Sequence, residues 1–244
     1  MRMRSGVGMK GSEKARSESE KGKKACQMAV IFDMDGVIVD NMPFHREAWK
    51  RFFEKYNPGM EFSDFIQHLG KPNRDLLRML FGERISDEEV RALGEEKEAV
   101  YREIYAPHIV PLPGFIEFLK ALKRNSIKTA IATAAPRANL DFLFEKIEVR
   151  GYFDVLVDVS EVEKGKPDPA IYLKAAEKLG FPPESCLVFE DSLAGIKAAR
   201  NAGMKVIAVA TTNPPEKLRD TDVIIKDFTE ITIEKISRLL AFSS

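Results

Sequence analysis

Two aspartates, Asp33 and Asp35, follow an apolar run at residues 29–32. The run predicts a strand buried on both faces, as in a parallel sheet, and functional groups in such sheets lie where the strands end. Side chains two residues apart on an extended chain point the same way, so the two carboxylates should project together. Gly36 then allows a sharp turn, because it adopts positive φ without a steric cost. The stretch indicates a paired-carboxylate site, although an acidic turn without chemistry explains this motif at least as well on its own.

Three further strand ends carry polar groups that suit an anionic ligand. Thr133 ends an apolar run just before a helix start at Pro136, and a helix N-terminus beside a hydroxyl suits a phosphate oxygen. Lys166 lies between a glycine and a proline ahead of another helix, while Glu190 and Asp191 end a third apolar run. Each has an ordinary alternative, namely a threonine within a strand, a solvated lysine, or acidic residues that cap a helix.

The chain after residue 107 alternates apolar runs with helical patterns, which predicts a parallel sheet covered by helices on both faces. Right-handed crossovers should connect the strands. We therefore expect an α/β fold with a Rossmann-like parallel sheet as its core. After the strand at residues 29–32, the predicted strands are 129–133, 155–159, 186–189, 206–210 and 223–225, separated by helices such as 114–123, 139–147, 169–179 and 194–201.

Between residues 43 and 107 the strand pattern stops and only helical patterns occur. Apolar residues at positions 44, 48, 49, 52, 53 and 56 form one stripe of an amphipathic helix. Residues 75–81 and 87–105 fit further helices, the second of them capped by Ser86 with Glu89 three residues on. We predict a small all-α cap domain, inserted after the first strand and hinged over the acidic loop. The predicted boundaries are 43–107 for the cap, and 28–42 with 108–244 for the core.

The composition is that of one globular unit acting on a small molecule. Of the 244 residues, 44% are hydrophobic and 31% are charged, and the formal net charge is zero, so nothing favours nucleic acid or an anionic membrane as a partner. No apolar run approaches a membrane span, and Cys26 and Cys186 are too few for a disulfide framework or a zinc site. We expect a cytoplasmic monomer. Residues 1–27 are basic with little to bury, which predicts a disordered tail.

Taken in order, the motifs resemble those of the haloacid dehalogenase superfamily. The matching segments are Asp-x-Asp-Gly-Val from Asp33, the threonine Thr133 after the second core strand, Gly-Lys-Pro-Asp-Pro around Lys166, and Glu-Asp-Ser-x-x-Gly-Ile from Glu190. The resemblance covers residues 28 to about 225. With its helical insert and the segment that starts at His45, the chain looks like the branch that holds β-phosphoglucomutase and sugar-phosphate phosphatases.

The resemblance implies phosphoryl transfer through a covalent intermediate. Asp33 would accept the phosphoryl group as an aspartyl phosphate, while Asp35 would protonate the leaving oxygen and later activate water. Thr133 and Lys166 would hold phosphate oxygens. True dehalogenases of the superfamily lack the second aspartate, so Asp35 favours phosphoryl chemistry over carbon–halogen chemistry.

The resemblance also implies Mg²⁺ as the cofactor. Several carboxylates and a phosphate dianion would meet one lysine, and like charges at such distances repel by on the order of several kcal/mol, so a divalent cation is needed for substrate to bind. A carboxylate on Mg²⁺ stays ionised and can attack, whereas one beside other carboxylates can keep a proton to donate. The metal site would comprise Asp33, the backbone carbonyl of Asp35 and Asp191, with Glu190 beside them.

Substrate contacts follow from the matching cap and loop positions. By the resemblance they are His45, Arg74, Lys97, Ala134 and Arg137. Basic groups in this set suit a small phosphorylated metabolite such as a sugar phosphate. A single histidine or lysine on a helix is otherwise most often a surface residue.

A phosphatase is favoured over a mutase at two places in the sequence. The mutase has a threonine where this chain has Asn41, and it has small polar residues where this chain has Ala135, Pro136 and Arg137. The expected function is a Mg²⁺-dependent phosphatase, with a β-phosphoglucomutase-type mutase as the alternative. A non-catalytic sensor of phosphorylated metabolites is a third reading, but a pure binder needs no nucleophile.

Overall fold

A parallel sheet forms the centre of the fold. The computed structural model describes residues 28–56, 59–69 and 71–241. Within these residues six strands form the sheet: β1 (Ala29–Phe32), β2 (Lys128–Ala132), β3 (Val155–Val157), β4 (Cys186–Glu190), β5 (Lys205–Val209) and β6 (Val223–Ile225). Their order is β3-β2-β1-β4-β5-β6, and every neighbouring pair is parallel. The α/β sheet predicted from the sequence is confirmed.

Helices connect the strands; some of them pack against the sheet, and others lie in the insertion between β1 and β2. In the described residues they are α1 (Met42–Tyr56), α2 (Phe62–Phe65), α3 (Asn73–Phe81), α4 (Asp87–Tyr105), α5 (Phe115–Arg124), α6 (Arg137–Lys146), α7 (Ala170–Leu179), α8 (Leu193–Asn201) and α9 (Ile233–Ala241). Element ends differ from the predicted ones by a few residues. For example, α3 was expected from residue 75 but starts at Asn73, because Pro72 occupies its N-cap and the helix can begin directly after it.

β1 is fully buried in the middle of the sheet. It pairs with β2 on one side and with β4 on the other. Val30 and Phe32 belong to one hydrophobic cluster, and Ala29 and Ile31 belong to a second. Alternate side chains of β1 thus enter two separate apolar layers, which explains why the strand is a continuous apolar run rather than an alternating one. Asp33 therefore leaves the sheet between two neighbouring strand ends.

Helices α1 to α4, which make up the predicted cap, have an apolar cluster of their own. Its buried members are Trp49, Phe52, Phe53, Phe65, Leu76, Leu77 and Val90. The predicted capping box at the N-terminus of α4 is present. The Ser86 hydroxyl accepts from the Glu89 backbone N–H at 3.2 Å, and the Glu89 carboxylate accepts from the Ser86 N–H at 2.9 Å. Ser86 and Glu89, a signal in the local sequence, therefore fix the start of α4.

The two chain segments that join the cap to the core lie side by side. The Leu112 N–H donates to the Ile38 carbonyl at 2.9 Å, and Val39 and Pro111 form an antiparallel bridge.

Among the described residues no helix combines the length and apolar character that a membrane crossing requires. The predicted disordered tail, residues 1–27, lies outside the described residues.

Candidate active site

Three buried carboxylates meet at the carboxyl edge of the sheet. The Asp33 N–H donates to the Phe189 carbonyl at 3.0 Å, so the chain stays beside β4 for one residue beyond β1. Glu190 ends β4 and Asp191 follows it. Asp33, Glu190 and Asp191 each offer a carboxylate oxygen, and these oxygens lie within 4.8 Å of one another. The structure thus brings together two predicted motifs that are about 150 residues apart in the sequence.

Lys166 lies among these carboxylates. Its ammonium is 2.6 Å from Glu190 Oε1 and 3.1 Å from Asp33 Oδ1, and its side chain is only 7% exposed. The Tyr172 hydroxyl also donates to Glu190 Oε1, at 2.8 Å, while Glu190 Oε2 accepts from the backbone N–H of Asp191 at 2.8 Å. Both oxygens of Glu190 are therefore already hydrogen-bonded, and its contact with Lys166 orients the ammonium towards Asp33.

The electrostatics of the cluster separate the three carboxylates. Burial, followed by the charges of Glu190 and Asp35, raises the pKa of Asp33 to about 7 despite Lys166. Burial and the neighbouring Glu190 and Asp33 raise the pKa of Asp191 well above its usual value. Burial acts to raise the pKa of Glu190 as well, but Lys166 and the hydrogen bonds outweigh it and the pKa is lowered. Two of the three carboxylates thus lack sufficient positive charge nearby.

These residues fit a divalent cation. Asp33 Oδ1 is buried and accepts no hydrogen bond, although Lys166 is close. Carboxylate oxygens are the ligands that Mg²⁺ prefers, and a cation would relieve the repulsion that raises the two pKa values. Gly36, at φ +73°, makes room for Asp191, because a Cβ atom at this position would lie 2.0 Å from Asp191 Oδ2. The glycine predicted to form a sharp turn therefore also leaves space for the carboxylate of Asp191, which follows β4.

Asp35 faces a different environment from Asp33. Its side chain is 20% exposed, and its Oδ1 accepts from Asn41 Nδ2 at 2.6 Å. His45 Nε2 lies 3.7 Å from the same oxygen and has no hydrogen-bond partner, although it is buried. The His45 ring stacks on Tyr101 at 3.8 Å between centroids. The structure therefore places a cap residue within reach of the second aspartate.

Thr133 directly follows β2, the strand next to β1. Its N–H donates to the Val157 carbonyl at 3.0 Å, and its hydroxyl oxygen accepts from the Ala135 N–H at 3.0 Å. Ala134 is half-buried in the turn, and α6 starts after Pro136. The hydroxyl hydrogen and the N-terminus of α6 are thus available at the same edge of the sheet as Asp33.

The remaining predicted substrate contacts lie in other surroundings. Arg74 and Arg137 are about half exposed and bind carboxylates on their own helices, Asp75 at 3.4 Å and Asp141 at 3.0 Å. Lys97 is only 2% exposed, with its ammonium 2.6 Å from Glu98 and 3.1 Å from His45 Nδ1. Lys97 is held inside the cap in this structure, and direct substrate contact by these three residues stays a prediction.

Sequence reasoning missed the loop that follows β5. The Thr212 hydroxyl donates to Asp191 Oδ2, and Asn213 Nδ2 donates to the Asp191 carbonyl at 3.1 Å. The Thr211 hydroxyl donates to the Gly36 carbonyl at 2.5 Å. The signal was a polar run, Thr-Thr-Asn, just past the end of a predicted strand. That run lies beside Asp191 because β5 neighbours β4.

Comparison with known proteins agrees with the family resemblance seen in the sequence motifs. The sequence profile described as haloacid dehalogenase-like hydrolase matches residues 27–203. A phosphorylated carbohydrates phosphatase from Thermotoga maritima is 36% identical over 185 residues, which cover 73% of this chain and 83% of that protein.

The crystal structures that match include the following two. One is a HAD hydrolase of family IA, variant 3, from Entamoeba histolytica, with a TM-score of 0.80, 32% identity and coverage of 88% of this chain and 99% of that one. The other is a β-phosphoglucomutase from Clostridium difficile, with a TM-score of 0.77, 27% identity and coverage of 88% and 97%.

Proposed function

The chain belongs to the haloacid dehalogenase-like hydrolase family, and from that premise we propose that it is a Mg²⁺-dependent phosphatase of small phosphorylated metabolites, in particular sugar phosphates. The observation that carries the proposal is the meeting of Asp33, Glu190, Asp191 and Lys166 at one strand edge, with carboxylate oxygens within 4.8 Å of one another. A single positive side chain among three buried carboxylates suits a site completed by a cation and a phosphate.

In this proposal Asp33 is the nucleophile. Its Oδ1 accepts no hydrogen bond, and Lys166 at 3.1 Å holds the carboxylate in place. Oδ1 forms a bond to phosphorus while the bond from phosphorus to the leaving-group oxygen breaks, which leaves an aspartyl phosphate. Lys166 and the Thr133 hydroxyl bind the oxygens of the transferred group. Water then attacks the phosphorus, and inorganic phosphate leaves as the Asp33 carboxylate is restored.

Asp35 is the proton carrier in the same scheme. It gives a proton to the leaving-group oxygen in the first step and takes one from the attacking water in the second. Its side chain is 20% exposed, unlike the buried Asp33, so it can face both a leaving alcohol and water. Asn41 donates to Asp35 Oδ1 at 2.6 Å and would hold the carboxylate in one orientation during both proton transfers.

The cation would be held by Asp33, Asp191 and the backbone carbonyl of Asp35. When bound, Mg²⁺ neutralises negative charge on the carboxylates and on the phosphoryl oxygens. Glu190 supports the site from beside it, since its two oxygens bind Lys166, Tyr172 and backbone N–H groups.

The cap supplies substrate selection in this proposal. We take residues 43–107 as the cap, with His45 and Arg74 as the contacts to the sugar, and Ala134 and Arg137 on the core side. Hydrolysis is preferred to mutase activity because Asn41 stands where the mutase has a threonine, and Ala135, Pro136 and Arg137 stand where it has small polar residues. We further propose a cytoplasmic monomer without nucleic-acid or membrane partners, which the zero formal net charge supports.

The test is phosphate release from a panel of hexose and pentose phosphates and p-nitrophenyl phosphate. We expect steady Mg²⁺-dependent release that EDTA abolishes and added Mg²⁺ restores. Asp33→Asn should lose turnover by at least about 1,000-fold with an unchanged near-UV circular dichroism spectrum, since it removes the nucleophile. Asp64→Asn, an equally small change at an exposed position, should leave turnover unchanged. Normal turnover in Asp33→Asn would refute the assignment.

The same panel separates the alternative activity. Efficient interconversion of glucose 1-phosphate and glucose 6-phosphate, primed with the bisphosphate, would identify a mutase and overturn the phosphatase proposal. Tight binding of a phosphorylated metabolite with no phosphate release would instead identify a sensor.

A further inference from the structure

Asn139 of α6 is clamped between two charged side chains of the cap. It is 1% exposed; its Nδ2 donates to Glu98 Oε2 at 2.8 Å and its Oδ1 accepts from Arg102 Nη1 at 2.8 Å. Glu98 and Arg102 are four residues apart on α4 and so lie on one helix face. An amide has a donor and an acceptor side by side, and a carboxylate or an apolar group of the same size cannot satisfy both partners.

Glu98 connects this contact to the rest of the cap. Its Oε1 accepts from Lys97 at 2.6 Å and from Asn73 on α3 at 2.7 Å, and its Oε2 lies 3.9 Å from His45 Nδ1 on α1. Burial alone would raise the pKa of Glu98, but Lys97 and His45 lower it to about 2, so the group is ionised at neutral pH. One buried carboxylate therefore joins α1, α3 and α4 of the cap to α6 of the core.

Both ends of this network reach the active site. At the core end, the Asn139 backbone N–H donates to the Pro136 carbonyl at 2.9 Å, one turn from the Thr133 loop. At the cap end, the His45 ring that faces Glu98 also places Nε2 3.7 Å from Asp35. A change in the packing of α4 on α6 would therefore move His45 relative to the aspartates. It would also move Asn73, the neighbour of Arg74, relative to the Thr133 loop.

We propose that Asn139 is a positioning residue that docks the cap onto the phosphate-binding side of the core through Glu98 and Arg102. The proposal rests on the proposed function for its catalytic consequence, but the docking itself can be measured without any substrate. Asn139 touches neither substrate nor metal; it sets the position of the cap groups that do.

A charge exchange across the contact tests the proposal. Asn139→Asp places a second carboxylate against Glu98, so we expect backbone amides of α4 to exchange hydrogen about 10-fold faster and the KM for the best substrate of the panel to rise about 10-fold. The kcat and the affinity for Mg²⁺ should change less than about 2-fold, because a saturating substrate draws the cap onto the site. Glu98→Gln alone also weakens the contacts to Lys97 and His45, so it serves as the reference for the double variant. In the Glu98→Gln background the new amide at position 98 can donate to the new carboxylate at position 139, and adding Asn139→Asp should raise neither value by more than about 2-fold.

Glu96→Gln is the matched control. Glu96 also lies on α4 but binds Lys55 and Tyr56 within the cap, at 2.7 and 2.6 Å, so exchange and KM should stay at wild-type values. Should Asn139→Asp fail to fold, Asn139→Ala removes both hydrogen bonds without adding charge, and the same increases are expected. Wild-type exchange and KM in a folded Asn139 variant, or an increase of about 10-fold when Asn139→Asp is added to Glu98→Gln, would overturn the proposal. If the wild type releases no phosphate, the exchange measurements alone decide, and the proposed function fails separately.

Discussion

Replacing Gly36 with alanine tests how the acidic turn and the end of β4 form one site. The added Cβ would lie 2.0 Å from Asp191 Oδ2, whereas ordinary contacts begin at 3.4 Å, so the carboxylate would have to move by about 1.4 Å. The loop that follows β5 leaves no room for this shift. Thr212 Oγ1, which donates to Asp191 Oδ2, would itself lie only 2.9 Å from the added Cβ. Metal sites tolerate shifts of about 0.2 Å, and disturbing groups around a ligand costs about 10- to 100-fold in metal affinity. We expect the Kd for Mg²⁺ to rise by about this factor.

The variant also strains the backbone, and this effect needs a control. Gly36 has φ +73°, and a non-glycine residue there costs about 1–2 kcal/mol. Gly180 has φ +76°, but its added Cβ would meet nothing within 4 Å, so Gly180→Ala carries the strain alone. Gly180→Ala should lose about 1–2 kcal/mol in chemical denaturation, and Gly36→Ala should lose at least as much. Isothermal titration with Mg²⁺ and turnover at several Mg²⁺ concentrations should separate them. Equal Mg²⁺ affinity in the two variants would refute the role given to Gly36 and Asp191.

Three further predictions concern neighbouring groups. Thr212→Val removes the hydroxyl that donates to Asp191, a ligand of the proposed metal site, so Mg²⁺ should bind about 10-fold more weakly by titration calorimetry, and Thr212→Ser should restore the affinity. Gly195→Ala would place a Cβ 1.6 Å from Glu190 Oε1 and should lower the melting temperature, whereas Gly94→Ala, whose nearest contact is 3.7 Å, should raise it slightly. The pKa of Glu98 is about 2 in the fold and 4.5 ordinarily, so its stabilisation is complete above pH 4.5 and is lost as the pH falls towards 2. The stability difference between wild type and Glu98→Gln in urea should shrink by about 2 kcal/mol between pH 7 and pH 3; a difference independent of pH would contradict this.

The sheet and the meeting of the motifs were predictable because they depend on local patterns. Continuous apolar runs identify buried parallel strands, and the carboxyl ends of such strands share one edge, so Asp33, Thr133 and Glu190 had to lie near one another. The start of α4 was predictable for the same reason, since Ser86 and Glu89 form a capping box within four residues.

Other parts of the site depend on contacts between distant residues. Lys97 has the appearance of a surface lysine in the sequence, and only packing against Trp49 and the charge of Glu98 explains its burial. The bond between Glu98 and Asn139 joins residues 41 positions apart on helices whose relative placement no local pattern specifies. Thr212 was missed because a threonine after a strand is common, and its partner Asp191 is identified only by the strand order.

The paired connecting segments have a consequence for how such proteins diversify. Because Leu112 is hydrogen-bonded to Ile38, and Val39 is bridged to Pro111, the chain leaves the sheet and returns to it at nearly the same point. A short turn, or an unrelated set of helices, could be grafted between these two positions without disturbing the order of the strands. New substrate preferences could then arise by exchange of the inserted segment, while the aspartates inherited with β1 stay unchanged.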